Sequence, residues 1–236
     1  MLALEQGSSW GIAFMQPDQR MLKDIERECE YTRHFIGKDA FSAHVMEAMQ
    51  QVPRHEFVPA ELRPEAYDNG PLPIGLGQTI SQPYIVALMT DLLEPQPEHI
   101  VLEVGTGSGY QAAVLSRLVR QVYSIEIIEV LATQARERLS RLGYRNVEVL
   151  AADGYLGWID HAPFDSIIVT AAAAEVPEPL IEQLKPGGRM VIPIGHPYQH
   201  QELMLLEKAM DNSVTTRDIL GVAFVPLTRK RNSERS

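Results

Sequence analysis

The stretch Ile100-Val-Leu-Glu-Val-Gly-Thr-Gly-Ser-Gly-Tyr110 decides the fold. Its apolar opening has the continuous hydrophobicity of a strand covered on both faces. Three glycines then alternate at positions 105, 107 and 109, and a helix-compatible segment runs from Tyr110 to Val119. A strand, a glycine turn and a helix in that order make the setting of a nucleotide-type site. Three glycines exceed what one reversal of the chain requires, and they let backbone approach a ligand without a Cβ in the way. A dinucleotide fingerprint would place its last glycine sixth from Gly105, where this chain has Tyr110. The spacing therefore argues against a pyrophosphate turn.

Outward from this turn the same alternation continues. The runs Val122 to Ile125, Val147 to Leu150, Ser166 to Thr170 and Met190 to Ile194 read as strands, with helical stretches such as Glu129 to Leu142 between them, the latter stopped by Gly143. Strands separated by helices imply right-handed crossovers and a mostly parallel sheet. Glu202 to Leu206 and Leu220 to Leu227 follow with no long helix between them, which predicts an antiparallel edge. The fold class is thus α/β, a doubly wound, mostly parallel sheet of seven strands. Upstream, Met21 to Tyr31 and Ala40 to Gln51 carry apolar residues at helical spacing, and Arg63 to Pro83 is broken by proline and glycine. An irregular loop of about twenty residues inside a domain is usually functional. The expected organisation is a helical extension over 1–64, a substrate loop with its following helix over 65–98, a cofactor-binding core over 99–228 and a basic tail over 229–236.

The 236 residues are 45% hydrophobic and 22% charged, which is globular composition and excludes a disordered or fibrous chain. With 21 Lys and Arg against 31 Asp and Glu, the net charge of -10 repels phosphate backbones, so no nucleic-acid partner is expected. Cys29 is the only cysteine; it has no internal partner, reads as a small buried apolar side chain and suits a reducing compartment. Glu5, Gly7, Ser8 and Ser9 interrupt the N-terminus as a secretory signal, and the uncharged stretch Asn69 to Thr90 is too rich in proline and glycine to span a membrane. A cytoplasmic monomer is the expectation.

Acidic residues end three successive strands: Glu103, Glu126 and Asp153. On the carboxyl side of a parallel sheet, all three face one crevice. The spacing Glu103-x-Gly105-x-Gly107-x-Gly109 resembles the first motif of S-adenosylmethionine-dependent methyltransferases, whose Rossmann-like fold agrees with the pattern above. That cofactor carries a sulfonium and an ammonium, which acids suit and phosphate-binding turns do not. The resemblance implies that Gly105, Thr106, Gly107 and Gly109 form the cofactor turn, with Glu103 serving the aminoacyl end directly or through water. The alternative for Glu103 is a carboxylate that stiffens the turn. Glu126 would accept from both ribose hydroxyls; alone, it would read as a solvated strand end. Asp153 or its neighbouring backbone would receive the adenine amino group, with Gly154 turning the chain beneath the ring; a helix N-cap is its other reading.

The strand Phe164-Asp-Ser-Ile-Ile-Val-Thr-Ala-Ala-Ala-Ala174 lacks the Pro-Pro-Tyr element that orients an amine acceptor. More specific are Val52-Pro-Arg-His-Glu-Phe-Val-Pro59, Pro71-Leu-Pro-Ile-Gly75, Gly77-Gln-Thr-Ile-Ser-Gln-Pro83, Ile168-Val-Thr-Ala-Ala172, Leu184-Lys-Pro-Gly-Gly188 and Val191-Ile-Pro-Ile-Gly195. Together with the glycine turn they resemble the protein-L-isoaspartate O-methyltransferase family, from about Ala48 to Thr228. The resemblance implies a repair enzyme that methylates the free α-carboxyl of isoaspartyl residues in damaged peptides and proteins. It assigns the active site to Ser81, with Thr79 beside it in the same loop. A carboxylate with a pKa of about 3.5 is already ionised at neutral pH, so such an acceptor needs no general base. Two alternatives stay open: the same chemistry on a small-molecule or other carboxylate, or an inactive cofactor-binding paralogue whose N-terminus, Met1 to Lys38, recruits a partner. His196 and His200 have the spacing of helical metal ligands, but Gly195 and Pro197 oppose a helix there, so no metal is expected. Tyr110 and His55 read as structural, and Arg229-Lys-Arg231 as a solvated terminus.

Overall fold

The strand Ile100–Val104 (β3) is covered on both faces, as its unbroken apolar character requires. Val101 packs into one apolar cluster while Leu102 and Val104 enter the other, the two-residue alternation of a strand between two layers. The first cluster also takes in Met21, Ile25 and Cys29 from an N-terminal helix. That helix therefore shares a core with the sheet. The computed structural model describes residues 16–196 and 199–229.

Around β3 stand Gln121–Glu126 (β4), Val147–Ala151 (β5), Phe164–Val169 (β6), Leu184–Gly195 (β7), Gln201–Lys208 (β8) and Val214–Val222 (β9). They form one sheet of seven strands in the order β5-β4-β3-β6-β7-β8-β9. The first five run parallel and β8 and β9 antiparallel. The chain winds outward from β3 through β4 to β5, then returns to place β6 on the other side of β3. Between β3 and β6 lies the switch point, where a ligand crevice opens at the strands' carboxyl ends.

The helices are Pro17–Ile36 (α1), Ala43–Gln51 (α2), Pro83–Leu92 (α3), Tyr110–Ser116 (α4), Glu129–Arg141 (α5) and Glu178–Gln183 (α6). α1 stops where Gly37 adopts a left-handed φ of 72° and returns its N–H to the Arg33 carbonyl. The buried Asp91 of α3 receives Lys38 Nζ at 2.5 Å and the Ser42 N–H at 2.8 Å, which ties the start of α2 to α3.

Two expectations need correction. The loop from Arg63 to Pro83 is not wholly irregular: Leu72–Gly75 (β1) and Gln78–Ile80 (β2) pair as an antiparallel hairpin. Its two turn residues, Leu76 and Gly77, take φ of 54° and 73°, the conformation that matches strand twist in a two-residue turn. The last strand ends at Val222, not Leu227. Beyond it the chain crosses to the far end of β6, where the Ala172 N–H donates to the Val225 carbonyl and the Leu227 N–H to the Ala172 carbonyl, both at 2.8 Å. Residues 1–15, Pro197 and Tyr198 and the tail from Lys230 lie outside the described residues, and with them much of the N-terminal question. Arg229, the first residue of that basic tail, lies over the Tyr155 ring at 4.3 Å.

Candidate active site

The turn after β3 is held from below and capped from above. The N–H groups of Gly105 and Thr106 both donate to the Ile125 carbonyl of β4, at 2.8 and 3.2 Å. Gly105, Gly107 and Gly109 all have positive φ, a region where side chains are strained. At Gly105 there is also no room: an added Cβ would lie 2.4 Å from the Thr170 hydroxyl oxygen, which donates to the Gly105 carbonyl at 2.6 Å.

Glu126 clips this turn. Its Oε2 accepts the Gly107 N–H at 2.8 Å and its Oε1 the Ile128 N–H at 2.9 Å, so two backbone segments set the carboxylate's orientation. Glu103 lies on the opposite side of the strand end and is fully buried. Its side chain faces the core rather than the cleft: Ser124 donates to its Oε2, and Ser124 in turn meets the Thr106 hydroxyl at 2.5 Å. Burial pushes the Glu103 carboxyl up to about 8, against the Ser124 hydrogen bond and with some help from the Glu126 charge. These contacts are those of the stiffening alternative. Period-two alternation puts residues 102 and 104 on one face and 103 on the other, beneath α4.

Asp153 also takes the capping alternative, with its Oδ1 accepting the Tyr155 N–H at 3.0 Å at the start of a short 3-10 turn. Gly154 is buried against β3, where a Cβ would stand 2.4 Å from Val104 Cγ1. Gly109 contacts α5 rather than the cleft, its absent Cβ facing Leu139 Cδ1 at 3.2 Å.

Thr79 lies in β2 and Ser81 directly after it. The Ser81 carbonyl is held by Arg54, a fully buried side chain whose Nη2 donates to it at 2.8 Å. The same guanidinium donates through Nε to the Ala66 carbonyl at 2.8 Å and lies 4.8 Å from the centre of the Tyr110 ring. One cation therefore joins the hydroxyl-bearing loop to the helix that follows the glycine turn.

Thr79, Ser81, Gly105, Thr106, Gly107, Glu126 and Gly154 line a single cleft, so most of the residues singled out in the sequence converge there. Glu103, Gly109 and Asp153 do not line it. Among the described lining residues Glu126 is the only charged one. None of the described lining residues is a lysine or arginine that would meet a phosphate, and the glycine cradle beside one carboxylate suits a phosphate-free, cationic nucleoside. Thr79, Ser81, Thr170 and Val225 also line a second, wider groove of about 1010 Å³ between α1 and the last strand. The cleft beside the glycine turn and the wider groove thus meet at Ser81.

A model of the protein-L-isoaspartate(D-aspartate) O-methyltransferase family matches residues 33–232. The chain belongs to that family. It is 59% identical over 97% of its length to protein-L-isoaspartate O-methyltransferase 2 of Syntrophobacter fumaroxidans, covering 94% of that protein. A protein of the same name from Nitrosococcus oceani is 61% identical over 92% of this chain and 98% of its own. Among solved structures, a protein-L-isoaspartate O-methyltransferase superposes with a TM-score of 0.76 at 29% identity, over 89% of this chain; the chain spans 65% of that structure's length. A putative family member from Plasmodium falciparum, solved in complex with S-adenosyl-L-homocysteine, superposes with a TM-score of 0.73 at 25% identity, over 92% of this chain and all of its own.

Several lining residues of this methyltransferase-family cleft escaped the sequence reading. Thr170 lay in a family motif and at a strand end, with no role read from it. The C-terminal residues Val225 to Thr228, which line the cleft beside Gly154, had no local signal because their partner is Ala172, more than fifty positions away. Arg54 sits in a stretch already singled out, but nothing in its spacing says that its head is buried. His200, one of the two histidines with metal-ligand spacing, meets Glu202 at the start of β8, and His196 follows β7, while two of the three residues between them, Pro197 and Tyr198, lie outside the described residues.

Proposed function

We infer that this chain transfers the methyl group of S-adenosylmethionine to the free α-carboxyl of L-isoaspartyl residues in damaged proteins and peptides, with Ser81 and Thr79 facing the acceptor. The activity and the methyl donor follow from membership of the family. The assignment of roles to residues is ours. The observation that carries it is the junction of the two cavities at Thr79, Ser81 and Thr170.

S-adenosylmethionine supplies a methyl group on a cationic sulfur, already activated for in-line attack. Glu126 would hold the ribose hydroxyls, and its two backbone donors keep it aimed. The backbone of Gly105, Thr106 and Gly107 would lie along the nucleoside, and Gly154 would leave room for its ring. Gly109 packs the turn onto α5, Glu103 stiffens it through Ser124 and Thr106, and Asp153 caps the turn that presents Gly154. Ser81 and Thr79 would donate hydrogen bonds that orient the acceptor carboxylate, each contributing about 1 to 3 kcal/mol. No group in the cleft is placed as a general base, and none is required, because the acceptor is ionised and both charges vanish as the bond forms.

The rest of the organisation is read in the same way: an extension over 1–64 packed on the core, a substrate loop and helix over 65–98, and a cofactor core over 99–228. Cys29 is buried, which fits a reducing compartment, and we place the enzyme in the cytoplasm as a monomer without nucleic-acid or membrane partners. Among the described residues no helix is long and apolar enough to cross a membrane.

The deciding assay is base-labile methyl incorporation into an isoaspartyl peptide, with its aspartyl twin as control. Incorporation into the first alone is expected. Binding of the cofactor without incorporation would return the chain to one of the alternatives, a different carboxylate acceptor or an inactive paralogue.

A further inference from the structure

The wider groove holds more than one residue of an acceptor. At about 1010 Å³ it stands at the upper end of the roughly 300–1,000 Å³ that encloses a drug-sized ligand. A single isoaspartyl side chain leaves most of it empty. One wall is the continuous segment Asp218 to Val225, where Leu220, Val222 and Phe224 present half-buried apolar surface. The opposite wall is α1, through Glu28, Thr32 and Phe35. These three stand at i, i+4 and i+7, one face of a helix.

Two of the three are engaged within the protein. Glu28 Oε2 accepts from Asn69 Nδ2 at 2.5 Å and from Gln82 Nε2 at 2.9 Å, and Gln82 is the residue after Ser81. The Thr32 hydroxyl meets the Tyr84 hydroxyl at 2.6 Å. These contacts dock α1 onto the segment that carries the acceptor hydroxyls. Phe35 is left 66% exposed on the same face. A lone exposed aromatic is ordinary, but one that lines a groove continuous with the reacting end of the cleft is placed to touch what the groove receives.

We propose that α1 is the outer wall of the acceptor site and that Phe35 grips an apolar side chain flanking the isoaspartyl residue, giving the enzyme a preference for damage in apolar sequence. The proposal rests on the placement of the acceptor carboxylate at Ser81.

The test uses the full chain and two isoaspartyl peptides that differ only in carrying Phe or Gly at the flanking positions. Wild type should favour the Phe peptide about five- to tenfold in kcat/KM, the range in which one buried aromatic contact falls. Phe35→Ala should bring that ratio close to one, Phe35→Trp should restore most of it, and affinity for S-adenosylhomocysteine should stay at the wild-type value as a check on folding. Tyr31→Ala removes a 77% exposed aromatic of the same helix that does not line the groove, and should leave the ratio intact. No preference in wild type, a preference that survives Phe35→Ala, or equal loss with Tyr31→Ala would each overturn the proposal. Methylation of neither peptide would instead remove the activity on which it stands.

Discussion

Glu126 accepts backbone hydrogen bonds with both oxygens and still faces the cleft, so it organises the turn and, in the proposed reading, serves the ligand at once. Glu126→Ala should weaken S-adenosylmethionine binding by about 1 to 3 kcal/mol, read by titration calorimetry, because a charged acceptor and the clip on Gly107 are lost together. Ser81→Ala should do the reverse: turnover falls about tenfold or more while cofactor affinity holds, since a hydrogen-bond donor to the acceptor is removed and nothing in the turn moves. Finding the two effects exchanged would mean the residues have been given each other's work. Glu103 makes a different prediction because it is buried beneath the turn. Its carboxyl titrates near 4.5 when unfolded and about 8 when folded, so between those values the native state holds the extra proton and stability falls as pH rises. Glu103→Gln removes that proton linkage. Denaturant unfolding at pH 5 and pH 8 should show wild type losing on the order of 3 kcal/mol across the interval and the variant staying nearly level.

At the scale of elements, the acceptor hydroxyls belong to a hairpin and loop that have little core of their own. Leu76 at the tip of the hairpin is exposed and Ile74 only half-buried, so apart from Ile80, which enters the core, β1 and β2 depend on what ties them to the body. Arg54 is that tie, joining the Ala66 and Ser81 carbonyls to the face of Tyr110 at the start of α4. Arg54→Met should leave those carbonyls unpaired in a dry site and cost about 2 to 4 kcal/mol in thermal unfolding. Arg54→Lys keeps the charge but not the fork. It should fold, keep its affinity for the cofactor, and lose several-fold in kcat/KM for the isoaspartyl peptide, because the loop carrying Ser81 is less well positioned.

Across the whole molecule, the N-terminal helices are fastened to the body by apolar contact and to α3 by one buried acid. Burial raises the Asp91 carboxyl, but the hydrogen bonds from Lys38 and Ser42 outweigh it and hold the group below its usual value of 3.8. An acid with a depressed folded pKa contributes stability that is present above its unfolded pKa and is lost as the pH falls through the folded one. Asp91→Asn should therefore destabilise the protein at pH 7 by about 1 to 3 kcal/mol and reduce the difference from wild type below pH 3, measured by thermal melts across that range.

The central sheet and its cofactor turn were legible in the sequence because they are local. Strand, glycine turn and helix lie within eleven consecutive residues from Ile100 to Tyr110, and the continuous hydrophobicity of β3 and β6 is a direct record of burial on both faces. The acid at the end of β4 was legible for the same reason. Family motifs marked Ser81 and Thr79, though their surroundings gave no hint of the buried cation behind them. What tertiary structure alone decided is which side chains at those positions reach the cleft. Glu103, Gly109 and Asp153 have the right spacing, yet none of them lines the cleft: Glu103 accepts from Ser124, Gly109 faces Leu139 and Asp153 accepts the Tyr155 N–H. The strap from Val225 to Thr228 and the wall supplied by α1 close the site from opposite ends of the chain. Contacts between such distant segments are set by how the helices and the last strand fill the space around the sheet, and that geometry leaves no periodic mark along the sequence.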